Sequence, residues 1–371
     1  MSQVEISAGK FRGLRVLADR DGRFRMMAID QRGSLRRMLS KVLGKDPDEV
    51  GYDDLRAVKK SVVKVLSPYS SATLTDPVYG YPGCLGYIPK DVGLLLAYEE
   101  TGYTKAGEGG HERRSSLIEG WSARKAKRAG ADAVKLLMYW RPEASDETLE
   151  HQSSIVRKVG EECEEVDLPF VLELVSYPLL KDELPEGTAR PTTDTPAFAK
   201  RKPEIVLRTV QEFSKPEYKA DLLKVEFPAD LKYTEEYCHG TFDGKKRKAL
   251  YDLDEVEDFC RRVDEACGVP WVILSAGVGI EEFLVNVELA SEAGASGFLG
   301  GRAIWQGCTK FYPDVEAMEK WLATSGADNF KRLHEASRNA VPWYEHRRFG
   351  GYPNVSLAGG DREWYRNYEG L

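Results

Sequence analysis

The sequence predicts a (β/α)8 barrel. Three observations carry that expectation. Eight short apolar runs recur along the 371 residues, most of them separated by stretches with helical spacing. The runs are nearly continuous in apolar residues, as parallel strands covered on both faces are, and do not alternate with polar ones. No G-x-G-x-x-G follows the first run, which argues against a doubly wound dinucleotide-binding sheet, the structural alternative. Eight strand–helix units close into a barrel of about 250 residues, so this chain carries extra material.

The strands are expected at 24–30, 72–76, 93–98, 133–139, 169–175, 221–228, 270–275 and 296–300. Each is short and bounded by charge, glycine or proline, the punctuation of buried strands. Helical spacing is clearest at 119–128, 146–164 and 281–293. Two further stretches follow strands and are expected as insertions over the catalytic face. One is 181–203, rich in Pro, Thr and charge; the other is 233–251, polar, with Lys245-Lys246-Arg247-Lys248. The division expected is a barrel domain over 1–330 and an extension over 331–371 packed on the barrel or at an interface. The aromatic, glycine-rich stretch 347–371 has no period. It is expected to wrap the barrel, form an interface or cover the site.

Composition narrows the class. Apolar residues make up 42% and charged residues 30%, which suits an ordinary soluble globular protein. The formal charge is −7 with a pI of about 5.6 and no extended basic block, which argues against nucleic acid and anionic membrane as partners. The first residues lack a basic segment leading into an apolar one, and no stretch approaches the roughly 18 apolar residues of a spanning helix. A cytoplasmic protein is expected. The six cysteines are scattered without CxxC spacing, so reduced structural thiols are expected over disulfides or a zinc site.

Lys224 interrupts the sixth run. A buried ammonium either pairs with an anion or sheds its proton, and a neutral amine attacks carbonyls. Lys135 and Glu173 interrupt the fourth and fifth runs in the same way. The ends of barrel strands converge, so Asp30, Asp76, Ser275 and Arg302 are drawn to the same place. Two roles are open for the interrupting residues. Lys135–Glu173 and Lys224–Glu226 could be plain interior ion pairs. Alternatively, Lys224 is a nucleophile disfavoured as a cation by burial and by Lys135, with Glu173 as proton shuttle, its pKa raised by burial. Ser275-Ala276-Gly277 after strand seven and Gly300-Gly301-Arg302 after strand eight offer backbone N–H groups and a guanidinium fork, where barrels hold a phosphate. The five histidines lack metal-ligand spacing and are expected on the surface or in loops, so no metal is expected.

The motifs Ala28-Ile29-Asp30-Gln31-Arg32-Gly33, Asp76-Pro77-Val78-Tyr79-Gly80, Tyr98-Glu99-Glu100-Thr101-Gly102-Tyr103, Ala131-Asp132-Ala133-Val134-Lys135, Leu223-Lys224-Val225-Glu226, Leu274-Ser275-Ala276-Gly277-Val278 and Gly300-Gly301-Arg302-Ala303-Ile304-Trp305 occur in one order over 25–306. Together they resemble the tagatose-1,6-bisphosphate aldolase family, metal-independent class I aldolases on a (β/α)8 barrel. The resemblance implies that Lys224 forms the Schiff base and that Glu173 is the acid/base. It implies that Lys135 is the second active-site lysine, that Asp30 and Gln31 contact substrate, and that Ser275 and Arg302 bind phosphate. Gly277 and Gly301 of the two glycine turns, and Asp76 at its strand end, are also expected as substrate-binding positions.

The implied reaction cleaves a ketose 1-phosphate or 1,6-bisphosphate to dihydroxyacetone phosphate and an aldehyde, with no cofactor beyond the Schiff base on Lys224. Trp140-Arg141 and the stretches 271–275 and 294–299 also resemble sulfofructosephosphate aldolases, which release sulfolactaldehyde instead. A non-catalytic sugar-phosphate sensor and a keto-acid lyase are the remaining alternatives. A phosphorylated ketose is the expected partner, and a homo-oligomer is left open.

Overall fold

The structure is a computed structural model of the chain and describes residues 4–184, 192–360 and 362–368. Eight parallel strands close into a barrel. They are β1 (Phe24–Ala28), β2 (Ala72–Thr75), β3 (Gly93–Ala97), β4 (Ala133–Tyr139), β5 (Phe170–Val175), β6 (Leu222–Val225), β7 (Trp271–Leu274) and β8 (Gly297–Gly300). Neighbours in the chain are neighbours in the barrel, and β8 pairs with β1, which leaves no open edge. All eight expected runs contain strands, most of them a residue or two shorter than expected and the sixth four residues shorter.

Alternation across each strand makes two cores. Met27, Leu96, Leu136, Leu172, Leu223 and Ile273 point outward and join the cluster formed with the surrounding helices. Ala28, Leu74, Ala97, Ala133, Val171, Leu222, Val272 and Leu299 point inward and fill the barrel. The expected helices are present at Ala123–Arg128, Asp146–Glu165 and Ile280–Ala293. The first of these begins four residues late, because Ser122 is its N-cap and accepts from the Lys125 N–H.

The N-terminal end of the barrel is plugged. Helix Ala8–Leu17 lies across it and adds Leu14 and Leu17 to the interior cluster. The approach is close: a Cβ on Gly13 would lie 2.5 Å from Pro169. Trp343 and Phe349 complete the plug, and a strand at Val355–Leu357 pairs in parallel with one at Val4–Ile6. The described part of 347–371 therefore wraps the end of the barrel away from the mouth. The boundary expected at 330 falls inside the helix Ala327–Ala336.

The two expected insertions differ from each other. The first contains a 3-10 turn at Lys181–Glu183 and the start of the long helix Pro196–Phe213, N-capped by Thr195, so its second half is barrel helix; 185–191 lie outside the described residues. The second has no helix or strand between Thr234 and Leu250. Arg247 fastens the two together, with its guanidinium 2.8 Å from Asp194 and 2.7 Å from Asp243.

All six cysteines are free and buried. His334 and His346 depart from the expectation of surface or loop: His334 packs from helix Ala327–Ala336 against Phe298 and Phe330, and His346 is buried in the plug beside Trp343 and Phe349, because the tail folds back under the barrel. No helix among the described residues is long and apolar enough to cross a membrane.

Candidate active site

Two positions beyond the inward apolar residues, the same strands and the turns after them carry charge. Ala28 is followed by Asp30, Leu74 by Asp76, Ala97 by Glu99, Ala133 by Lys135, Val171 by Glu173 and Leu222 by Lys224. A two-residue step within a strand keeps the same face, so Lys135, Glu173 and Lys224 turn inward; Asp30 and Glu99 reach Lys135 from just past their strands, and all six are buried. Their pairing follows strand order. Lys135 on β4 lies between two flanking carboxylates: its Nζ is 2.9 Å from Glu99 Oε1 past β3 and 2.6 Å from Glu173 Oε2 on β5. Asp30 reaches it from β1, Oδ2 to Nζ 2.7 Å. Glu173 then bridges to β6, with Oε1 2.7 Å from Lys224 Nζ, its registered neighbour.

The two lysines are unequal. Burial alone would strip the proton from Lys135, but Asp30, Glu173 and Glu99 outweigh it and hold its pKa well above the ordinary range. Lys135 is a fixed cation. Among the described residues Lys224 has a single carboxylate in ion-pair contact, Glu173. Burial would likewise raise the Glu173 carboxyl, as the sequence suggests. Lys135 and Lys224 on either side reverse that and lower it, so the resting residue is a carboxylate. Asp30 is pushed the same way: burial opposes, and Lys135, Lys224 and Lys59 prevail. Because three carboxylates face Lys135, its charge does not reach Lys224 as that of a bare ammonium.

Two carboxylates in this region do other work. Asp76 is fully buried against Lys59 of helix Tyr52–Leu66, Oδ2 to Nζ 2.8 Å, and its Oδ1 accepts from the Val78 and Tyr79 N–H groups. Lys59 also donates to the Ile29 carbonyl at 2.5 Å, so the pair pins the ends of β1 and β2. Asp76 is thus engaged in holding the turn after β2. Glu226 is no counter-ion for Lys224. Its Oε2 accepts from the Ser176 N–H at 2.8 Å and from the Ser176 hydroxyl at 2.5 Å, tying β6 to the loop after β5.

The loops after β7 and β8 form a cationic corner. Ala276 and Gly277 both take positive φ, 45° and 84°, so the backbone turns sharply after the buried Ser275. A Cβ on Gly277 would lie 2.8 Å from Arg302 Nη2, and one on Gly301 would lie 2.8 Å from Gln31 Nε2. At both positions the absence of a side chain leaves room for these side chains, and the positive φ of Gly277 itself favours glycine. Arg302 has no ion pair among the described residues, although it is largely buried. Burial lowers its pKa, and the nearby Arg37 adds to this against the pull of Glu173 and Asp30. Gln31 Oε1 is buried with no hydrogen-bond partner among the described residues. A guanidinium with no ion pair among the described residues, beside a tight glycine turn, has the chemistry to receive an oxyanion.

The family model for DeoC/LacD family aldolases matches residues 24–307. The chain belongs to the DeoC/LacD aldolase family. Its relatives include the tagatose 1,6-diphosphate aldolase 2 of Enterococcus faecalis, 36% identical over 349 residues, covering 92% of this chain and 97% of the relative. The tagatose 1,6-diphosphate aldolase of Lactococcus lactis is 33% identical over 339 residues, covering 90% and 97%. A solved fructose-bisphosphate aldolase from Plasmodium falciparum superimposes with a TM-score of 0.62 at 12% identity, covering 91% of this chain and 98% of that one. That last likeness is one of fold.

Within this aldolase, Lys224, Glu173, Lys135 and Asp30 meet as one linked group. Ser275, Gly277, Gly301, Arg302 and Gln31 make the adjoining corner. Glu99 and Lys59 are missing from the residues singled out in the sequence. Glu99 lies past the end of the third run, and its two-residue step from Ala97 is the signal that points to it. Lys59 lies on a helix with ordinary amphipathic spacing and gives no local sign. Among the described residues no group of three His, Cys, Asp or Glu side chains could hold a metal ion.

Proposed function

We propose that this aldolase splits tagatose 1,6-bisphosphate through a Schiff base on Lys224, giving dihydroxyacetone phosphate and glyceraldehyde 3-phosphate. One observation carries the choice of residue. Of the two lysines in this linked group, Lys135 is locked by three carboxylates, whereas Lys224 pairs, among the described residues, with Glu173 alone. A nucleophile must give up a proton, and only Lys224 has a single acceptor placed to take it. The named relatives, both tagatose 1,6-diphosphate aldolases, support the substrate.

The steps follow from that arrangement. Glu173 takes a proton from Lys224, whose amine attacks the C2 carbonyl. The carbinolamine loses water to give an iminium. Glu173 or a water beside it removes the C4 hydroxyl proton, the C3–C4 bond breaks, and its electron pair passes into the iminium to give an enamine. The aldehyde departs. Protonation at C3 and addition of water release dihydroxyacetone phosphate and restore the amine. Lys135 and Asp30 hold the sugar hydroxyls in a fixed field. Ser275, Gly277, Gly301 and Arg302 hold the C1 phosphate, with Gln31 beside them. This chemistry needs no metal.

Borohydride added during turnover, followed by digestion, should place the reduced adduct on the peptide containing Lys224. An adduct elsewhere, or none, refutes the assignment. A cleavage assay should rank tagatose 1,6-bisphosphate above fructose 1,6-bisphosphate and sulfofructose 1-phosphate, and should be insensitive to EDTA. Preference for the sulfonated sugar would replace the substrate while keeping the mechanism.

A further inference from the structure

A hairpin between β3 and β4 carries an arginine with no part in the site above. Its strands, Thr104–Ala106 and Glu112–Arg114, pair antiparallel. Two residues of the second strand are anchored to the start of helix Asp146–Glu165. Glu112 accepts from the Ser145 N–H at 2.8 Å and from its hydroxyl at 2.7 Å. Arg114 donates to Thr148 and to Glu147, each at 3.0 Å. Successive strand residues point to opposite faces, so Arg113, between them, faces away from that helix.

Arg113 is surrounded by rings instead. Its guanidinium carbon lies 4.5 Å from the Tyr103 centroid, 5.0 Å from Tyr177 and 5.2 Å from Tyr139. Among the described residues it has no ion pair and no side-chain hydrogen bond. Cation–π contacts fix the position of a guanidinium and leave its N–H donors uncommitted. Lys105 stands directly opposite in the hairpin register, on the same face, and has no ion pair among the described residues either. Like charges directly opposite repel. The pair therefore makes half of an interaction whose other half is an anion.

The topology says which anion. Tyr139 closes β4 and shares its inner face with Lys135, so the ring cluster stands at the mouth. In a closed ring of eight strands, β4 is diametrically opposite β8, after which Arg302 stands. By this topology Arg302 and Arg113 stand on opposite sides of the mouth, with the strands of Lys224 and Glu173 between them. A ketose bisphosphate carries its anions at opposite ends of the carbon chain, with the carbonyl beside one of them. We propose that Arg113, with Lys105, binds the anionic group at the aldehyde end of the substrate, the group that departs with the aldehyde. This rests on the aldolase reading above. It names a tetrahedral oxyanion, phosphate or sulfonate, and the planar guanidinium fork fits either.

The test compares tagatose 1,6-bisphosphate, tagatose 1-phosphate and sulfofructose 1-phosphate in the parent, Arg113→Gln and Arg113→Lys. Arg113→Gln should lower kcat/KM on the bisphosphate by about 10- to 100-fold, chiefly through KM, as loss of a charge-assisted contact does. The 1-phosphate, which lacks the distal anion, should change by less than about threefold. Arg113→Lys should restore part of the selectivity. A comparable KM loss on the sulfonated sugar also supports the proposal, and the parent's preference then names the natural anion. Equal losses on all three sugars would mean that Arg113 only braces the hairpin, and unchanged selectivity would mean no contact; either overturns the proposal. Borohydride trapping keeps the two readings apart. A parent that traps at Lys224 while Arg113→Gln retains full selectivity refutes this inference alone, and a parent that traps nothing refutes both.

Discussion

At the N-terminal end of the barrel the inner face carries Phe24, Ala72, Leu95, Ala133 and Leu222, capped by Leu14, Leu17, Trp343 and Phe349. Further along the same strands, and in the turns after them, it carries Asp30, Glu99, Lys135, Glu173 and Lys224. Backbone, pleat and burial are alike at the two ends, and only the side chains change. An apolar plug is stabilised by leaving water. A buried ion network must recover a desolvation penalty, and an apolar filling of the same volume is often as stable or more so. The plug accordingly holds the barrel shut, and the charged end is kept for what it does to a substrate.

Substitutions should separate these roles. Lys224→Ala should remove the borohydride adduct and lower cleavage by more than about 10⁴-fold, since no other amine replaces the nucleophile. Its thermal midpoint should be unchanged or higher. A large loss of stability would make the charged end structural after all. Glu173→Gln should cost about 10²–10⁴-fold in kcat, the range for loss of a positioned acid/base. Retained kcat would pass the proton steps to another group.

Trp343→Ala should do the reverse. Removing a buried aromatic ring costs about 3–5 kcal/mol, read as a lower denaturant midpoint, while kcat of the folded protein stays near the parent value. A matching fall in kcat would mean that the two ends are coupled. His346 offers a gentler probe of the plug. Burial lowers its pKa to about 4 from an ordinary 6.5, and Arg347 and Arg348 act in the same direction. The unfolded chain therefore takes up the proton first as pH falls. The contribution of the neutral ring is fully present above about pH 6.5 and is lost progressively down to about pH 4, up to about 3 kcal/mol. His346→Gln should flatten that slope in denaturant melts, and an unaltered slope would place the acid sensitivity elsewhere.

Much of this was legible because strands are local. A lysine or glutamate inside an apolar run is visible without a fold, and so Lys135, Glu173 and Lys224 stood out. Their convergence needed only the barrel's closure. The partner choice was not legible, because it depends on strand neighbours: Glu173 lies between two lysines, and that reverses the pKa direction that burial alone suggests. Asp76 sat at the right strand end but faces Lys59, whose helix gives no sign of the contact. The hairpin holding Arg113 and the helix Ala8–Leu17 are too short or too plainly amphipathic to declare their places. The tail's aromatic residues showed that it buries something, and only the structure shows which end it buries against.

The pairing of Val4–Ile6 with Val355–Leu357 joins segments separated by nearly the whole sequence. Closing so long a loop brings a large entropic cost and only a three-residue strand to offset it. In folding order the seam comes late, after the eight barrel strands have met neighbours close to them in the chain. In the native ensemble it is an early seam to open, a sub-global excursion well below full unfolding. Amide hydrogens at Ile6 and Ala358 should therefore exchange far sooner than those at Leu136 or Leu172, while the mouth, at the far end of the barrel, keeps its geometry.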